Sequence, residues 1–435
     1  MDFFQHYRQS AIAHFDIPRS TTELQQYITN PDKVAKHAFY PFIVKTQSLI
    51  KVKRQGEKLK RYKKKRSVCI PAHLDRAIYA YYAHQLSTLY EAQLLKLGIS
   101  SNILAFRALN KKNTHFALEC FQAIARLQNC LVIAIDFSSF FDTLLHTHLK
   151  YQWQKLLNMA QLPADHYSLF KSITHYATVE RLALYRQLGL SPYRSPKTRL
   201  CNPRQFRTSV RQKGLIQANP RHEGIPQGIA LGNLLSNIYM IDFDLFFSDY
   251  TQKHHGHYYR YCDDILIILP SNPTNSQYLL DEITSLINKQ TELAGLKIHP
   301  DKSEHFIFHH GTLATGQTKS LQYLGFNYDG RQITIRSSSI SKYLSKMRRG
   351  VSLARQTQFK YNKIRKLKKL PDQALYTRAL YSRFSHTGQR NFIRYALDAA
   401  KTMNSTAIRQ QIKPFMNRLN QEIQPEINDS LTQFL

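Results

Sequence analysis

Acidic residues are scarce in this chain: 29 Asp and Glu stand against 61 Lys and Arg in 435 residues, a formal charge of +32. That balance excludes an acidic, self-solvating protein and points to a polyanionic partner, nucleic acid ahead of an acidic membrane surface. No apolar run approaches the roughly 20 residues that a spanning helix needs. The best stretches, Leu131 to Ile135 and Ile265 to Leu269, are only strand-length, so membrane insertion is disfavoured. Met1 to Pro18 alternates Phe pairs with His, Arg and Asp and lacks the apolar core and cleavage site of a signal peptide, which argues against export. Cysteine is limited to Cys69, Cys120, Cys130, Cys201 and Cys262, with no C-x-x-C pair. Neither a zinc finger nor a disulfide framework is indicated, and reduced thiols in a cytoplasm are expected. What the chain does have is 43% hydrophobic and 12% aromatic residues, enough to fill a core across two or three subdomains.

The positive charge is uneven. Val44 to Arg66 holds 11 basic residues and one acid, and Arg331 to Leu435 holds 21 basic and 5 acidic residues. These two arms carry +26 of the +32, while the 264 residues between them are close to balanced. A basic run such as Lys63-Lys64-Lys65-Arg66 is often only a solvated face, yet interspersed tyrosines and apolar periodicity favour phosphate binding here. After Ile340 the pattern is plainest. Ile340, Leu344, Met347, Val351 and Ala354 recur at helical spacing, with Lys342, Lys346, Arg348, Arg349 and Arg355 on the other faces. Further helix is expected over Ala374 to Tyr381 and Phe392 to Met403.

The middle alternates β-rich runs (Leu131 to Ile135, Tyr258 to Tyr261, Ile265 to Leu269, Lys297 to His299, Gln322 to Phe326) with helical stretches (Phe116 to Leu127, Leu231 to Phe246). A mixed body of helices with a small sheet follows. Two acidic sites interrupt its apolar strands. One strand ends at Asp136; the other opens with the adjacent Asp263 and Asp264 at a tight turn. Each alone could be a helix cap or a plain turn. Together, in a basic chain, such carboxylates repel one another, are costly to desolvate and call for a cation. Hard oxygens favour Mg²⁺, and three aspartates from neighbouring strands could hold two ions, with Mn²⁺ as a substitute, in nucleotidyl-transfer geometry.

Five motifs in order now resemble those of reverse transcriptases: Asp136-Phe-Ser-Ser-Phe-Phe141, Gly224-Ile-Pro-Gln-Gly228, Tyr261-Cys-Asp-Asp264, Gly295-Leu-Lys-Ile-His-Pro-Asp-Lys302-Ser303 and Tyr323-Leu-Gly-Phe326. The resemblance runs from about Arg66 to Phe326. It implies an α+β right-hand polymerase of fingers, palm and thumb, with a small antiparallel palm sheet and a helical thumb. The divisions it suggests are 1–66 as an N-terminal helical and basic segment, 67–135 as fingers and the start of the palm, 136–305 as palm with a fingers insertion, 306–330 as a primer-grip hairpin and 331–435 as the basic thumb. Carried over by position, Asp136, Asp263 and Asp264 are the metal-binding carboxylates, and Lys302 is the acid that protonates departing pyrophosphate. Phe141 is the gate against a ribose 2′-OH, Gln227 and Gly228 lie against the incoming nucleotide, and Arg107 clamps its triphosphate. Arg66 and Arg76 contact the template, Tyr323, Leu324 and Gly325 grip the primer, and Lys346 and Arg349 of the thumb touch nucleic acid.

No ribonuclease H or endonuclease domain is expected after the thumb, and the Val-Thr-Gly signature of retron enzymes is missing. The chain looks more like the defence-associated bacterial lineages, the unknown-group and abortive-infection reverse transcriptases, and among them class two. That likeness implies copying of a structured noncoding RNA, as template or scaffold, into cDNA from deoxynucleotides, in antiphage defence. Untemplated or protein-primed synthesis, and a non-catalytic RNA-binding protein on a polymerase scaffold, are the alternatives.

Overall fold

The computed structural model describes residues 3–55, 58–191, 198–272, 274–299, 303–317 and 319–424. The basic run near the N-terminus is not a separate segment but a β-ribbon. Phe42–Gln55 (β1) and Lys58–Ile70 (β2) pair antiparallel from Ile43 opposite Ile70 to Gln55 opposite Lys58. The expected boundary at residue 66 therefore falls inside β2. Charge hid the signal: Ile43, Val44, Thr46, Ile50 and Val52 are strand formers placed among lysines.

The segment before the ribbon fastens it to the body. The helix His73–Lys96 begins after Ala72, which offers no capping side chain. Asp16 supplies the cap from a distance, its carboxylate accepting from the backbone N–H groups of His73 and Leu74 at 2.9 Å each. Beside it, His14 is fully buried with Nε2 3.1 Å from the Ile70 carbonyl, and burial drags its pKa from 6.5 down to about 3. The unfolded chain thus binds a proton near pH 6.5 that the folded protein refuses until about 3. Stability from this group is complete above that window and drains as pH falls through it, by about 1.4 kcal/mol per pH unit. Burial raises the Asp75 carboxyl, an effect of the opposite sign that a histidine variant leaves in place. Urea unfolding at pH 7 and pH 5 should show the wild type losing more stability than His14→Gln; equal losses would remove His14 as the sensor.

Cys130–Asp136 (β3) is the central palm strand. Ala177–Glu180 (β4) and Gln217–Ala218 (β5) extend the ribbon into a sheet of order β2-β1-β4-β5. His257–Tyr261 (β6), Asp264–Pro270 (β7), Glu304–His309 (β8) and Thr312–Leu313 (β9) join β3 in the palm, in the order β6-β7-β3-β8-β9. Neighbouring strands in it pair antiparallel. Because both faces are covered, β3 and β7 read as unbroken apolar runs. Strand alternation splits them between two cores. Leu131, Ile133, Ile135, Ile265, Ile267 and Leu269 join Leu235, Phe243, Phe247 and Ile283 on one side. Cys130, Val132, Leu266 and Ile268 join Phe116, Cys120 and Phe121 of the helix Asn113–Leu127 on the other. Two expectations need correction here. The helix expected over Leu231 to Phe246 is two, Ala230–Tyr239 and Ile241–Lys253, and Lys297 to His299 makes only an isolated bridge, Phe137 with Ile298.

Leu321–Tyr323 (β10), Phe326–Tyr328 (β11) and Ile333–Ile335 (β12) form a small antiparallel sheet that leads into the helix Ser337–Leu367. Its expected apolar stripe holds: Met347 and Val351 are buried, and Ile340, Leu344 and Ala354 are partly so. Beyond Ala354 the helix leaves the core, with Phe359 73% and Tyr361 60% exposed. All five cysteines are free and buried, and among the described residues no helix is long and apolar enough to cross a membrane.

Candidate active site

The end of β3 meets the start of β7 so that Asp136 stands directly opposite Asp264. Opposed side chains on one face of a ladder lie about 4.5–5.5 Å apart at Cβ. Both aspartates line a cavity of about 560 Å³, with Tyr261, Gln322, Leu324, Gly325 and Arg336 around it. Asp263 and Cys262 form the two-residue turn between β6 and β7, where Cys262 has φ +60°. Burial, and secondarily the charge of Asp263, pushes the Cys262 thiol up, so it stays protonated and donates to the Asp263 carboxylate. Among the described residues no three His, Cys, Asp or Glu side chains form a group able to hold a metal ion. The sheet thus assembles a pair, Asp136 with Asp264, and leaves Asp263 on the adjoining turn. Opposed hard carboxylates lining a polar cavity suit the donor chemistry of Mg²⁺.

Residues 295–299 of the next motif dock beside this pair. His299 donates its backbone N–H to the Asp136 carbonyl at 2.8 Å, and Ser138 donates to the Lys297 carbonyl at 2.7 Å. Lys302 itself lies outside the described residues.

Main-chain hydrogen bonds also tie the other motifs into one body. Ile225 N–H donates to the Phe141 carbonyl and Cys69 N–H to the Gln227 carbonyl, each at 2.8 Å. Gly228 adopts φ +100°, and a Cβ there would sit 2.8 Å from Val68 Cγ1 and 3.2 Å from the Cys69 carbonyl oxygen. Only glycine lets this loop close onto the end of β2. Phe140 and Phe141 are both core residues, 2% and 9% exposed, with rings 5.6 Å apart. Burial also raises the neighbouring Asp142 carboxyl.

Arg107 does not serve the expected triphosphate clamp. Its side chain is 2% exposed and ion-paired with Glu91, with Nε 2.8 Å from Oε1. Nη1 donates to the carbonyls of Ser100 and Ile103, and Nη2 to Glu91 and Ser100 Oγ. All five donors are occupied. Arg66 is exposed on β2, whereas Arg76 is half-buried on the first turn of its helix, its Nε without a hydrogen-bond partner among the described residues.

In the hairpin, Tyr323 is core rather than grip: it is 3% exposed, and burial holds its hydroxyl well above the ordinary phenol range. The turn Leu324-Gly325 provides the surface, with φ +46° and +94°, the backbone of a two-residue primed hairpin turn. Asn113 Nδ2 donates to the Leu324 carbonyl at 3.0 Å, and Arg336 N–H to the Gly325 carbonyl at 3.1 Å. The same two turn residues line a second cavity, of about 1250 Å³, together with Lys342, Lys346, Arg349, Arg383 and Arg390. Lys342, Lys346 and Arg349 share a face at helical spacing, a signal visible in the sequence. Arg383 and Arg390 in this cavity, and Arg336 in the carboxylate cavity, were not legible, because loops and separate helices bring them there.

No curated protein matches. Among solved structures, apo telomerase from Candida tropicalis is 14% identical with a TM-score of 0.40, covering 92% of this chain and 64% of that one. Its form truncated from the C-terminal domain is 14% identical with a TM-score of 0.41, covering 72% and 59%. Candida albicans telomerase in complex with a telomeric RNA fragment is 11% identical with a TM-score of 0.40, covering 92% and 66%. The chain thus spans under two-thirds of the length of these telomerases. A family profile described as reverse transcriptase (RNA-dependent DNA polymerase) matches residues 53–328, more than half of the chain. Since that match opens near the end of β1 and closes at the end of β11, taking in β2, the five-stranded palm sheet and the Leu324-Gly325 turn, the chain belongs to the reverse transcriptase family and has its right-hand fold.

Proposed function

We propose that this protein is an RNA-directed DNA polymerase that copies a bound cognate noncoding RNA into cDNA from deoxynucleotides. The observation that carries this is the opposition of Asp136 and Asp264 in a cavity that meets the basic thumb groove at the Leu324-Gly325 turn. Asp136 and Asp264, with Asp263 beside them, would hold two Mg²⁺ or Mn²⁺ ions. Bound there, such ions lower the pKa of an attacking hydroxyl and neutralise charge on the leaving pyrophosphate. The protein's own residues do the rest. The Gln227-Gly228 loop supports the nascent pair, the Leu324-Gly325 turn orients the primer end, and Lys302 supplies the leaving-group proton. Lys346 and Arg349 hold phosphates, and farther along the helix exposed Phe359 and Tyr361 beside Lys360 and Lys363 combine stacking with charge.

The finer reading is a class-two-like member of the unknown-group and abortive-infection lineages, acting in antiphage defence in the bacterial cytoplasm, where five buried free thiols suit a reducing compartment. The test is to purify the protein with its bound nucleic acid, sequence that material, and supply Mg²⁺ with either nucleotide set. DNA made only from deoxynucleotides on the co-purified RNA is the expected result. Product of random sequence would favour untemplated synthesis, product linked to a tyrosine would favour protein priming, and no product would favour an RNA-binding scaffold. Phe141→Ala should raise ribonucleotide incorporation by about 10-fold or more, since a lost clash is worth roughly 1–3 kcal/mol. Unchanged rejection of ribonucleotides would take Phe141 out of the gate.

A further inference from the structure

Arg260, two residues before the turn that carries Asp263, is wholly buried. Its guanidinium forks onto Asp244, with Nε to Oδ1 and Nη2 to Oδ2 both at 2.6 Å, and Tyr258 hydroxyl donates to the same Oδ1 at 2.7 Å. The remaining arm, Nη1, donates to Asn237 Oδ1 at 2.9 Å and to the carbonyl oxygen of Cys262 at 3.2 Å. Asn237 in turn donates to the Ala105 carbonyl at 2.9 Å. The Arg260 backbone closes the other side, with its N–H to the Asn102 carbonyl at 2.8 Å and its carbonyl taking Leu104 N–H at 2.9 Å. Glu91 and Arg107 hold that same loop through Ser100 and Ile103. One cation therefore joins two helices, a loop and the turn.

Resting on the polymerase reading above, we infer that the Asp244–Arg260 pair is a positioning device for the Asp263-Asp264 corner. The Cys262 carbonyl belongs to the peptide that leads into Asp263, so the direction of that oxygen sets how the corner leaves the turn. Cys262 holds the left-handed conformation, φ +60°, which a non-glycine residue keeps only when its surroundings over-determine it. The Nη1 hydrogen bond is such a determinant. Apolar residues of similar volume often stabilise a core as well as a buried ion pair does, so energy alone does not call for this one. Its geometry does: a planar fork with five donors on three nitrogens grips both Asp244 oxygens and still reaches Asn237 and the Cys262 carbonyl, four contacts that the three donors of a single ammonium nitrogen cannot supply.

The experiment compares wild type with two variants: Asp244→Leu combined with Arg260→Met, which refills the core without the charge pair, and Arg260→Lys, which keeps a cation but loses the fork. Thermal unfolding and RNA binding report the fold. Primer extension against Mg²⁺ concentration and direct Mn²⁺ binding by electron paramagnetic resonance report the corner. Supporting groups behind metal ligands are worth about 10–100-fold in affinity or activity. Both variants should therefore bind RNA as wild type does, while needing about 10-fold or more additional Mg²⁺ for half-maximal extension and binding Mn²⁺ correspondingly more weakly. A folded variant with wild-type Mg²⁺ requirement and Mn²⁺ affinity overturns the proposal. Should the double variant not fold, Arg260→Lys alone decides in the same terms. If wild type makes no DNA, the polymerase reading fails separately, and Mn²⁺ binding by the variants still decides whether Arg260 positions the corner.

Discussion

Asp136→Asn and Asp264→Asn should each lower DNA synthesis by on the order of 10³-fold or more while leaving RNA binding intact. Charge neutralisation of a nucleotidyl-transfer transition state is worth several kcal/mol, and each 1.36 kcal/mol is a factor of ten. Asn preserves shape at both positions, so the paired ends of β3 and β7 should survive, and the loss reads out the carboxylate charge. Asp263→Ala is the sharper comparison. Its side chain accepts from the Cys262 thiol, so a residue serving only that turn would cost little when removed. A loss as deep as that of Asp136→Asn would show that Asp263 turns to the same site during synthesis. Single-turnover primer extension on the co-purified RNA measures all three, and full activity in Asp136→Asn would end the two-metal reading.

RNA affinity should collapse with salt, weakening by about 10³–10⁵ between 50 and 200 mM, as for a protein that neutralises six to ten phosphates. The charge available for such contacts lies on the β1-β2 ribbon and around the groove lined by Lys342, Lys346, Arg349, Arg383 and Arg390. Reversal of two of these, Lys346→Glu with Arg349→Glu, should lower the slope of log affinity against log salt by about two contacts. Fluorescence anisotropy with the cognate RNA measures both. A flat salt response would exclude phosphate-dominated holding.

Much of the palm was legible because its two central strands are covered on both sides and so read as plain apolar runs ending in acids. The register that sets Asp136 against Asp264 was not, since pairing between residues over a hundred positions apart leaves no local mark. Buried arginines leave no local mark for the same reason. Arg107 has its partner Glu91 16 residues upstream, and Arg260 has Asp244 16 residues upstream, so each looks like surface charge until the chain folds. Tyr323 sits in a primer-grip motif, but strand alternation turns its ring to the core and leaves the surface to Leu324-Gly325. In the ribbon, lysines masked an ordinary alternation of strand formers.

The joint between hairpin and thumb has a mechanical consequence. Arg336, the residue before the helix Ser337–Leu367, is bonded by its N–H to the Gly325 carbonyl, next to the carboxylate cavity. At 1.5 Å per residue that 31-residue helix is about 46 Å long. Tilting it by roughly 5° about this joint would swing Leu367 by about 4 Å and barely disturb Leu324. On the proposed polymerase reading, the thumb would act as a lever with its fulcrum beside the carboxylate cavity, able to loosen its hold on distant strands while the growing end stays in register.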